Sequence, residues 1–320
     1  MAKRIALDHV AEHNQRMWDK LASVEIPYTR PRGTPPTTKA AKRKFLDRST
    51  NGRIAGIELA GSRALSLAGG GGWEPILFAE LGADATVFDI SKKQLQTVRD
   101  IARERGTKLR YVQGDMRDLS MFPDASFDLI LHCHSLVFVP DAARVIAEVG
   151  RVLAPGGTYV ASTMHPVTIR LYESWTGTGW NLKKPYFADG PMPYSDSSWE
   201  FGEAKIDAKT MEYGHRISDL INACSASGMV IDGFWEWTPE WAGGGGEPGS
   251  DELLDTIMPA FIELRARKLD VPAGRTASRG VSARKATASP ARPRKAAAAR
   301  SARPSSRAGA KRRGTASRPR

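Results

Sequence analysis

The chain has 320 residues, a formal net charge of +12 and two cysteines. This length allows one large domain or two smaller ones, and two cysteines exclude a disulfide-rich secreted scaffold. The charge is uneven, because residues 271–320 contain 15 Lys or Arg and no Asp or Glu, whereas residues 1–270 contain 32 basic and 35 acidic residues. The first 19 residues lack a signal-peptide core, and no apolar run approaches the length of a membrane span, so we expect a cytoplasmic protein.

The first element in chain order is an amphipathic helix over Leu7 to Ser23, with Trp18 on its apolar face. The proline-rich stretch Pro27 to Pro36 interrupts regular structure before a short basic helix over Lys39 to Asp47. The leading helix has two interpretations. It packs on the body of the protein, or it folds over the mouth of a ligand site as an N-terminal helical cap.

The stretch from Ala64 to Ser91 combines a short apolar strand, four consecutive glycines from Gly69 to Gly72, a helix, and a second strand that stops at Asp89. This order is typical of a nucleotide-binding βαβ crossover. The glycines let the backbone approach a ligand closely, and the start of the helix offers free N–H groups to a negative group. A carboxylate at the end of the second strand can accept hydrogen bonds from both ribose hydroxyls. Several classes of nucleotide-binding enzyme share this layout.

Strands and helices continue to alternate after this unit. Ser91 is predicted to cap the next helix, and Pro155-Gly156-Gly157 to separate a later helix from its strand. Further strands are predicted over Lys108 to Val112, Phe127 to Leu131, Thr158 to Ala161, Met229 to Trp235 and Pro259 to Lys268. The pattern predicts an α/β fold with a Rossmann-like, doubly wound, mostly parallel sheet of seven strands. Ligands of such sheets bind at the strand C-terminal ends, where Asp89, Asp115 and His132 fall.

Between His165 and Glu212 the alternation stops and aromatic residues accumulate. They are Tyr172, Trp175, Trp180, Tyr186, Phe187, Tyr194, Trp199 and Phe201. A long irregular stretch in a compact domain is usually functional or disordered, and so many aromatic residues argue against disorder. We interpret residues 165–212 as an aromatic-rich lid insertion over the pocket. The alternative is a surface insertion held together by its own aromatic residues.

Five motifs resemble those of class I S-adenosylmethionine-dependent methyltransferases, and the resemblance spans roughly Leu7 to Leu269. The motifs are Leu65 to Gly72, Val87 to Ser91, Gly114 to Leu119, Ser126 to Ile130 and Arg151 to Gly157. The last is the most specific, because dehydrogenases lack a helix–Pro–Gly–Gly–strand passage at that place. The first motif departs from the family pattern, since Ser66 stands where an acid is usual and Ala68 where glycine is usual. A small-molecule branch with an AGGG-type loop is similar in this respect.

The resemblance implies S-adenosyl-L-methionine as cofactor and direct methyl transfer to an O, N or C nucleophile of a small-molecule acceptor. In the family pattern Asp89 holds the ribose, and Asp115 with Met116 borders the adenine. Glu74 can supply the charge missing at Ser66, or it can face solvent at the start of its helix. The implied cofactor-binding residues are Leu67, Ala68, Gly69, Gly70, Glu74, Asp89, Ile90, Ser91, Asp115, Met116 and His132.

A general base helps methyl transfer when the acceptor is a hydroxyl or a protonated amine. His134 and His215 are the candidate catalytic residues, and His165, Tyr194 and Trp18 are the candidate substrate contacts. A structural role is the alternative for each histidine. No metal site is expected, because no fourth ligand lies at a suitable spacing from residues 132–134.

The composition of residues 271–320, rich in Ala, Arg, Lys, Ser and Pro, cannot bury a core. We therefore expect a methyltransferase domain over residues 1–270 and a disordered basic tail over residues 271–320. The tail either makes salt-sensitive, sequence-blind contacts with nucleic acid or is a solvated extension without a partner. Two other functions stay open: an RNA or protein methyltransferase tethered by the tail, and a catalytically silent cofactor-binding homologue.

A chain that ends at Asp270 should fold and bind the cofactor like the full chain, because no apolar period continues past Leu269. Calorimetric melting and titration with S-adenosylmethionine check this expectation. A large fall in Tm would show instead that residues 271–320 stabilise the domain. Any affinity of the tail for nucleic acid should vanish on truncation and fall steeply with salt.

Overall fold

A seven-stranded, mostly parallel sheet forms the centre of the molecule, which confirms the predicted Rossmann-like architecture. The computed structural model describes residues 6–193, 198–201, 204–238 and 245–270. The strands are β1 Arg63–Leu67, β2 Asp84–Asp89, β3 Arg110–Gln113, β4 Phe127–His132, β5 Leu153–Met164, β6 Ser198–Phe201, β7 Ala204–Asp207, β8 Met229–Trp237 and β9 Phe261–Lys268. The large sheet has the order β3-β2-β1-β4-β5-β9-β8, in which β9 runs antiparallel to both of its neighbours.

Helices cover both faces of this sheet. They are α1 His9–Ser23, α2 Lys39–Ser49, α3 Glu74–Glu80, α4 Lys92–Glu104, α5 Ala142–Val152, α6 Ile217–Ala226 and α7 Asp251–Ile257. Successive strand residues point to opposite faces, so Leu65 and Leu67 of β1 pack with α5 and α6, whereas Ala64 packs with α2 and α3. The sheet is therefore doubly wound, as its alternating sequence predicts. In the part of the chain that the structure describes, no helix combines the length and apolarity needed to cross a membrane.

Several elements differ from the sequence-based prediction, and two of these differences change the topology near the site. Helix α5 ends at Val152 and β5 begins at the next residue, so Pro155-Gly156-Gly157 lies within the strand and does not separate it from the helix. The pairing of β4 with β5 shifts register there, and Gly156 takes the left-handed φ of 75° that such an irregularity requires. The segment 165–212 also contains the antiparallel pair β6–β7, which its irregular sequence pattern did not predict.

The strand order places a ligand cleft at the carboxyl ends of the central strands. β1 lies between β2 and β4, so the loops after β1 and after β4 leave in opposite directions across the sheet. A crevice opens at such a switch point, and ligands of doubly wound sheets bind there. The glycine run follows β1, and His132 is the last residue of β4.

Helix α1 is fixed over this cleft by a buried asparagine. Asn14, which is 3% exposed, donates through Nδ2 to the carbonyl oxygens of Phe138 (2.9 Å) and Met211 (3.0 Å). Its Oδ1 accepts from the Met211 backbone N–H at 2.8 Å. One side chain thus joins the N-terminal helix to the loop after β4 and to the segment after β7. Of the two interpretations of the leading helix, the cap over the cleft is the one that these contacts match.

Replacing Asn14 by Ala should destabilise the domain, because a buried backbone N–H and two buried carbonyls lose their partner. We expect the free energy of unfolding to fall by about 1–3 kcal/mol, measured by urea denaturation. Asn222→Ala is the matched control, since Asn222 is exposed on α6 and should leave stability nearly unchanged. Equal stability of the two variants would contradict the anchoring role of Asn14.

Candidate active site

A cleft of about 820 Å³ lies at the carboxyl ends of the strands. Its walls come from α1, the glycine loop, the ends of β2, β3 and β4, the beginning and end of segment 165–212, and the C-terminal strands β8 and β9. The predicted site residues that line it are Trp18, Ala68, Gly69, Glu74, Asp89, Ile90, Asp115, Met116 and His134. The structure thus brings most of the residues singled out from the sequence into one cavity.

The glycine loop forms the floor of the cleft next to β1. Ala68 adopts a φ of 50°, a left-handed conformation that glycine takes more readily than any residue with a Cβ. This conformation is a physical reason for the glycine that the family pattern usually has where Ala68 stands. A Cβ on Gly70 would lie 2.9 Å from Asp89 Oδ2, so the carboxylate can approach the loop only because residue 70 is glycine.

Asp89 is a nearly buried carboxylate held by two backbone amides. The Gly70 N–H donates to its Oδ2 at 3.0 Å, and the Ser91 N–H donates to its Oδ1 at 2.8 Å. Burial raises the pKa of Asp89 to about 6, although both backbone hydrogen bonds act in the opposite direction. Each oxygen accepts one of these bonds and retains capacity for another, as a ribose diol requires.

Ser91 and Gly70 lie behind the cleft and position Asp89. Ser91 is fully buried, caps α4 by accepting from the Gln94 N–H, and donates its hydroxyl to Asp19 Oδ1 at 2.6 Å. The predicted cap is therefore confirmed. Ile90 reaches the cleft, and its carbonyl accepts from Gln15 Nε2 at 2.9 Å.

An arginine that the sequence analysis missed neutralises the second acidic position. Arg117 Nη2 lies 2.5 Å from Asp115 Oδ2, and its Nη1 lies 2.7 Å from Asp8 Oδ2. The Arg117 guanidinium holds the pKa of Asp8 at about 2. Arg117 thereby links the loop after β3 to the cap residue of α1. The Asp–x–Arg spacing was the available signal, because a residue two positions on can fold back on the carboxylate.

Glu74 projects over the glycine loop at the start of α3. A Cβ on Gly72 would overlap its Oε2, so this placement also depends on a glycine. Burial raises the pKa of the Glu74 carboxyl, and the side chain of Ser49 is a hydrogen-bond partner. Within the described ranges no Lys or Arg forms an ion pair with Glu74. Of the two alternatives for Glu74, the structure therefore shows a residue inside the cleft and not one that faces solvent.

The four histidines singled out from the sequence separate into one that faces the cleft and three that do not. His134 lines the cleft, with its ring centroid 4.6 Å from that of Phe261. His132 is fully buried with Nδ1 3.1 Å from the Tyr159 hydroxyl, and burial lowers its pKa to about 3. The strand turns its side chain into the core, so the sequence-based assignment of His132 to cofactor contact does not match its position.

His165 and His215 are also held away from the cleft. His165 Nε2 lies 3.1 Å from Glu236 Oε1, and its Nδ1 accepts from the Val167 N–H at 3.3 Å. His215 Nε2 donates to the Leu136 carbonyl at 2.9 Å. Both rings therefore have structural partners. The sequence analysis expected both residues at the site, but neither lines the cleft.

Three further residues were assigned to the site from the sequence, namely Leu67, Trp18 and Tyr194. Leu67 is fully buried in the core, so its side chain does not reach a ligand. Trp18 lines the cleft with its ring edge-on to Phe138, at a centroid distance of 5.1 Å. Tyr194 lies outside the described residues.

The far end of the cleft contains residues that sequence reasoning did not assign to the site. Trp237 and Phe261 face each other across β8 and β9 with ring centroids 5.1 Å apart, and Tyr172 and Asp251 also line the wall. Trp237 and Phe261 come together only because β9 pairs with β8 in the sheet. No local motif marks them in the sequence.

Known proteins that are similar to this chain in sequence and structure include methyltransferases. Residues 65–161 match the family described as "Methyltransferase domain". A crystal structure of an S-adenosylmethionine dependent methyltransferase from Mesorhizobium loti aligns with a TM-score of 0.53 and 25% identity, covering 70% of this chain and 98% of that one. The "Uncharacterized methyltransferase YbaJ" of Bacillus subtilis is 30% identical over 248 residues, which are 72% of this chain and 91% of that protein. This chain belongs to the S-adenosylmethionine-dependent methyltransferases.

A more distant relative of this methyltransferase has a named pathway. The "Ubiquinone biosynthesis O-methyltransferase" of Methylococcus capsulatus is 35% identical over 111 residues. The alignment covers 35% of this chain and 47% of that protein, so the chain matches less than half of the relative's length.

The cleft fits S-adenosylmethionine as the cofactor of this methyltransferase. Its volume falls within the range of about 300–1,000 Å³ that is usual for small-molecule sites. Asp89 presents acceptors at the glycine loop, and Glu74 presents a second carboxylate on the other side of that loop. These two groups match a ribose diol and an ammonium, respectively.

Replacing Asp89 by Ala should weaken S-adenosylmethionine binding, because charge-assisted bonds to the ribose are worth about 1.5–3 kcal/mol each. We expect a loss of roughly tenfold or more in calorimetric titration. The wild-type affinity should also fall as pH drops below about 6, because the cofactor prefers the carboxylate and the Asp89 proton must then leave.

The matched control is Asp84→Ala, at the opposite, exposed end of β2. It should bind the cofactor like the wild type and keep the pH dependence, which Asp89→Ala should lose. Wild-type affinity in Asp89→Ala would mean that the ribose is held elsewhere.

Proposed function

We propose that the protein transfers a methyl group to a small molecule that binds beside the cofactor in the same cleft. The observation that carries this proposal is the continuity of the cavity from the glycine loop to Trp237 and Phe261. A cleft of about 820 Å³ that holds both S-adenosylmethionine and an acceptor has room only for a small acceptor. An RNA strand or a folded protein would need an open groove instead.

The residues of the cleft have separate roles in this proposal. Asp89 holds the ribose, Asp115 and Met116 border the adenine, and Glu74 holds the amino group at the other end of the cofactor. When bound, S-adenosylmethionine supplies a methyl group on a positively charged sulfur, which leaves as a neutral thioether. The chain has to align the acceptor with that methyl group and exclude water.

His134 is suited to position the acceptor more than to remove its proton. The protein atoms around its ring lower the pKa of His134 to about 4, although the side chain is exposed towards the cleft, so the ring is neutral near pH 7. A general base works best when its pKa is near the working pH, and a group of pKa 4 is a weak base. The neutral ring can still donate or accept a hydrogen bond beside Phe261.

Segment 165–212 acts as a lid in this proposal, through its two ends. Tyr172 and Glu173 at its beginning and Thr210 and Glu212 at its end line the cleft. Trp175 and Trp180 instead pack edge-on against each other, with centroids 4.5 Å apart. Among the described aromatic side chains of the segment, Tyr172 thus belongs to the wall, whereas Trp175 and Trp180 stabilise the segment itself.

Methyl transfer can be tested with methyl-labelled S-adenosylmethionine and a cell extract divided into small molecules, RNA and protein. We expect label in the small-molecule fraction, and its loss in Asp89→Ala. The chain that ends at Asp270 should transfer label at the wild-type rate.

Two other results would replace the proposal. Label in RNA or protein that disappears on truncation at Asp270 would identify a tethered macromolecular methyltransferase. Cofactor binding without transfer to any fraction would identify a catalytically silent homologue.

A further inference from the structure

The wall of the cleft farthest from Asp89 combines aromatic rings with carboxylates. His134, Trp237 and Phe261 form a cluster in which the ring centroids lie 4.6 to 6.0 Å apart. The faces of such rings attract cations, and Trp is the strongest of them in this respect. Aromatic rings alone would suit an apolar acceptor. The charged groups in the same wall therefore decide which class of acceptor it favours.

Asp251 is the carboxylate that distinguishes this wall. It lies in the first turn of α7, accepts a hydrogen bond from the Glu173 N–H at 3.3 Å, and lines the cleft. Among the described residues no Lys or Arg forms an ion pair with Asp251. Burial raises its pKa to about 6, and the neighbouring carboxylates of Glu173, Asp255 and Glu252 add to the shift.

The other charged groups of this wall do not make its net charge positive. Glu173 is paired with Lys183 at 2.9 Å, and Glu212 accepts from the Thr210 hydroxyl at 2.8 Å. Lys209 also lines the cleft and brings one positive charge. The described charged groups therefore leave a net negative charge in the cavity that the aromatic rings also line, a combination that favours a cation.

We propose that the methyl acceptor is an amine that binds as a cation, with its ammonium between Asp251 and the rings of Trp237 and Phe261. This inference rests on the proposed small-molecule function and names its substrate class. Glu74 is a separate carboxylate at the glycine loop, which leaves Asp251 for the acceptor while Glu74 serves the amino group of the cofactor.

The site also suits the chemistry of N-methylation. An acceptor bound as an ammonium must lose one proton before its nitrogen lone pair is free, and the Asp251 carboxylate can accept that proton and pass it to solvent. The nitrogen then forms the bond to the methyl carbon, while the electron pair of the broken carbon–sulfur bond stays on sulfur. A carboxylate and ring faces together attract a positive charge, which an ammonium carries and a hydroxyl does not.

The test compares two probes of nearly the same shape, choline and its uncharged carbon isostere 3,3-dimethylbutan-1-ol. Each is titrated by NMR into the full chain saturated with S-adenosylhomocysteine, which fills the cofactor half of the cleft. We expect choline to bind roughly tenfold more tightly, because the Asp251 carboxylate and the ring faces both attract its positive charge. Asp251→Asn should remove most of this preference and leave the affinity of the isostere unchanged.

Glu252→Gln is the matched control, because it removes a charge from the same helix at an exposed position. It should keep the preference for choline. The Asn oxygen at position 251 can still accept from the Glu173 N–H, and an unchanged Tm would show that the variant is folded. Trp237→Leu is a second variant that should also lower choline affinity. Equal affinity for the two probes, or the same preference in Asp251→Asn, would overturn the inference.

A transfer assay separates this inference from the proposed function. With labelled cofactor, arylalkylamines should be methylated and the matching phenols should not. Methylation of phenols alone would overturn the amine inference and leave a small-molecule methyltransferase. The probe titration needs no catalysis, so a preference for choline without transfer to any acceptor would contradict the proposed function and not the cation site.

Discussion

The site depends on a carboxylate that is buried at the edge of the sheet. Removing Asp89 from water disfavours its charged form, and its raised pKa shows that two backbone hydrogen bonds do not fully compensate. The glycine at position 70 permits this arrangement, because any side chain there would collide with the carboxylate. Ribose hydroxyls are donors that can complete the compensation. The same burial that costs stability in the free protein thus favours cofactor binding.

The N-terminal helix completes the cleft through polar contacts to several loops. Asn14 bonds the loop after β4 and the segment after β7, Gln15 bonds Ile90, and Asp19 accepts from Ser91. Asp8 and Arg117 add an ion pair to the loop after β3. Each of these partners belongs to, or adjoins, a loop that borders the cofactor half of the cleft. Movement of α1 would therefore alter several of these contacts at once. The position of helix α1 and the affinity for the cofactor should change together.

Charge is distributed unevenly along the chain. The positive charge is concentrated in residues 271–320, while residues 1–270 are nearly neutral overall. Inside the cleft Glu74 and Asp251 form no ion pair with a Lys or Arg of the described residues, and burial raises the pKa of both. Unbalanced acids inside the cleft favour a cationic small molecule as its ligand. The basic tail is therefore not needed to explain methyl transfer.

The sequence by itself determined the sheet, the cofactor and the place of the glycine loop in the fold. Strand–helix alternation, the glycine run and the acid at the end of β2 are local patterns whose geometry follows from a few adjacent residues, so Asp89 ends β2 and Ser91 caps α4 as predicted. Only the tertiary structure decided the acceptor end. A histidine next to a strand end has no local signal for its direction: His134 turns into the cleft, whereas His132 turns into the core. Trp237, Phe261 and Asp251 come from distant parts of the chain, and strand pairing and helix packing bring them to one wall.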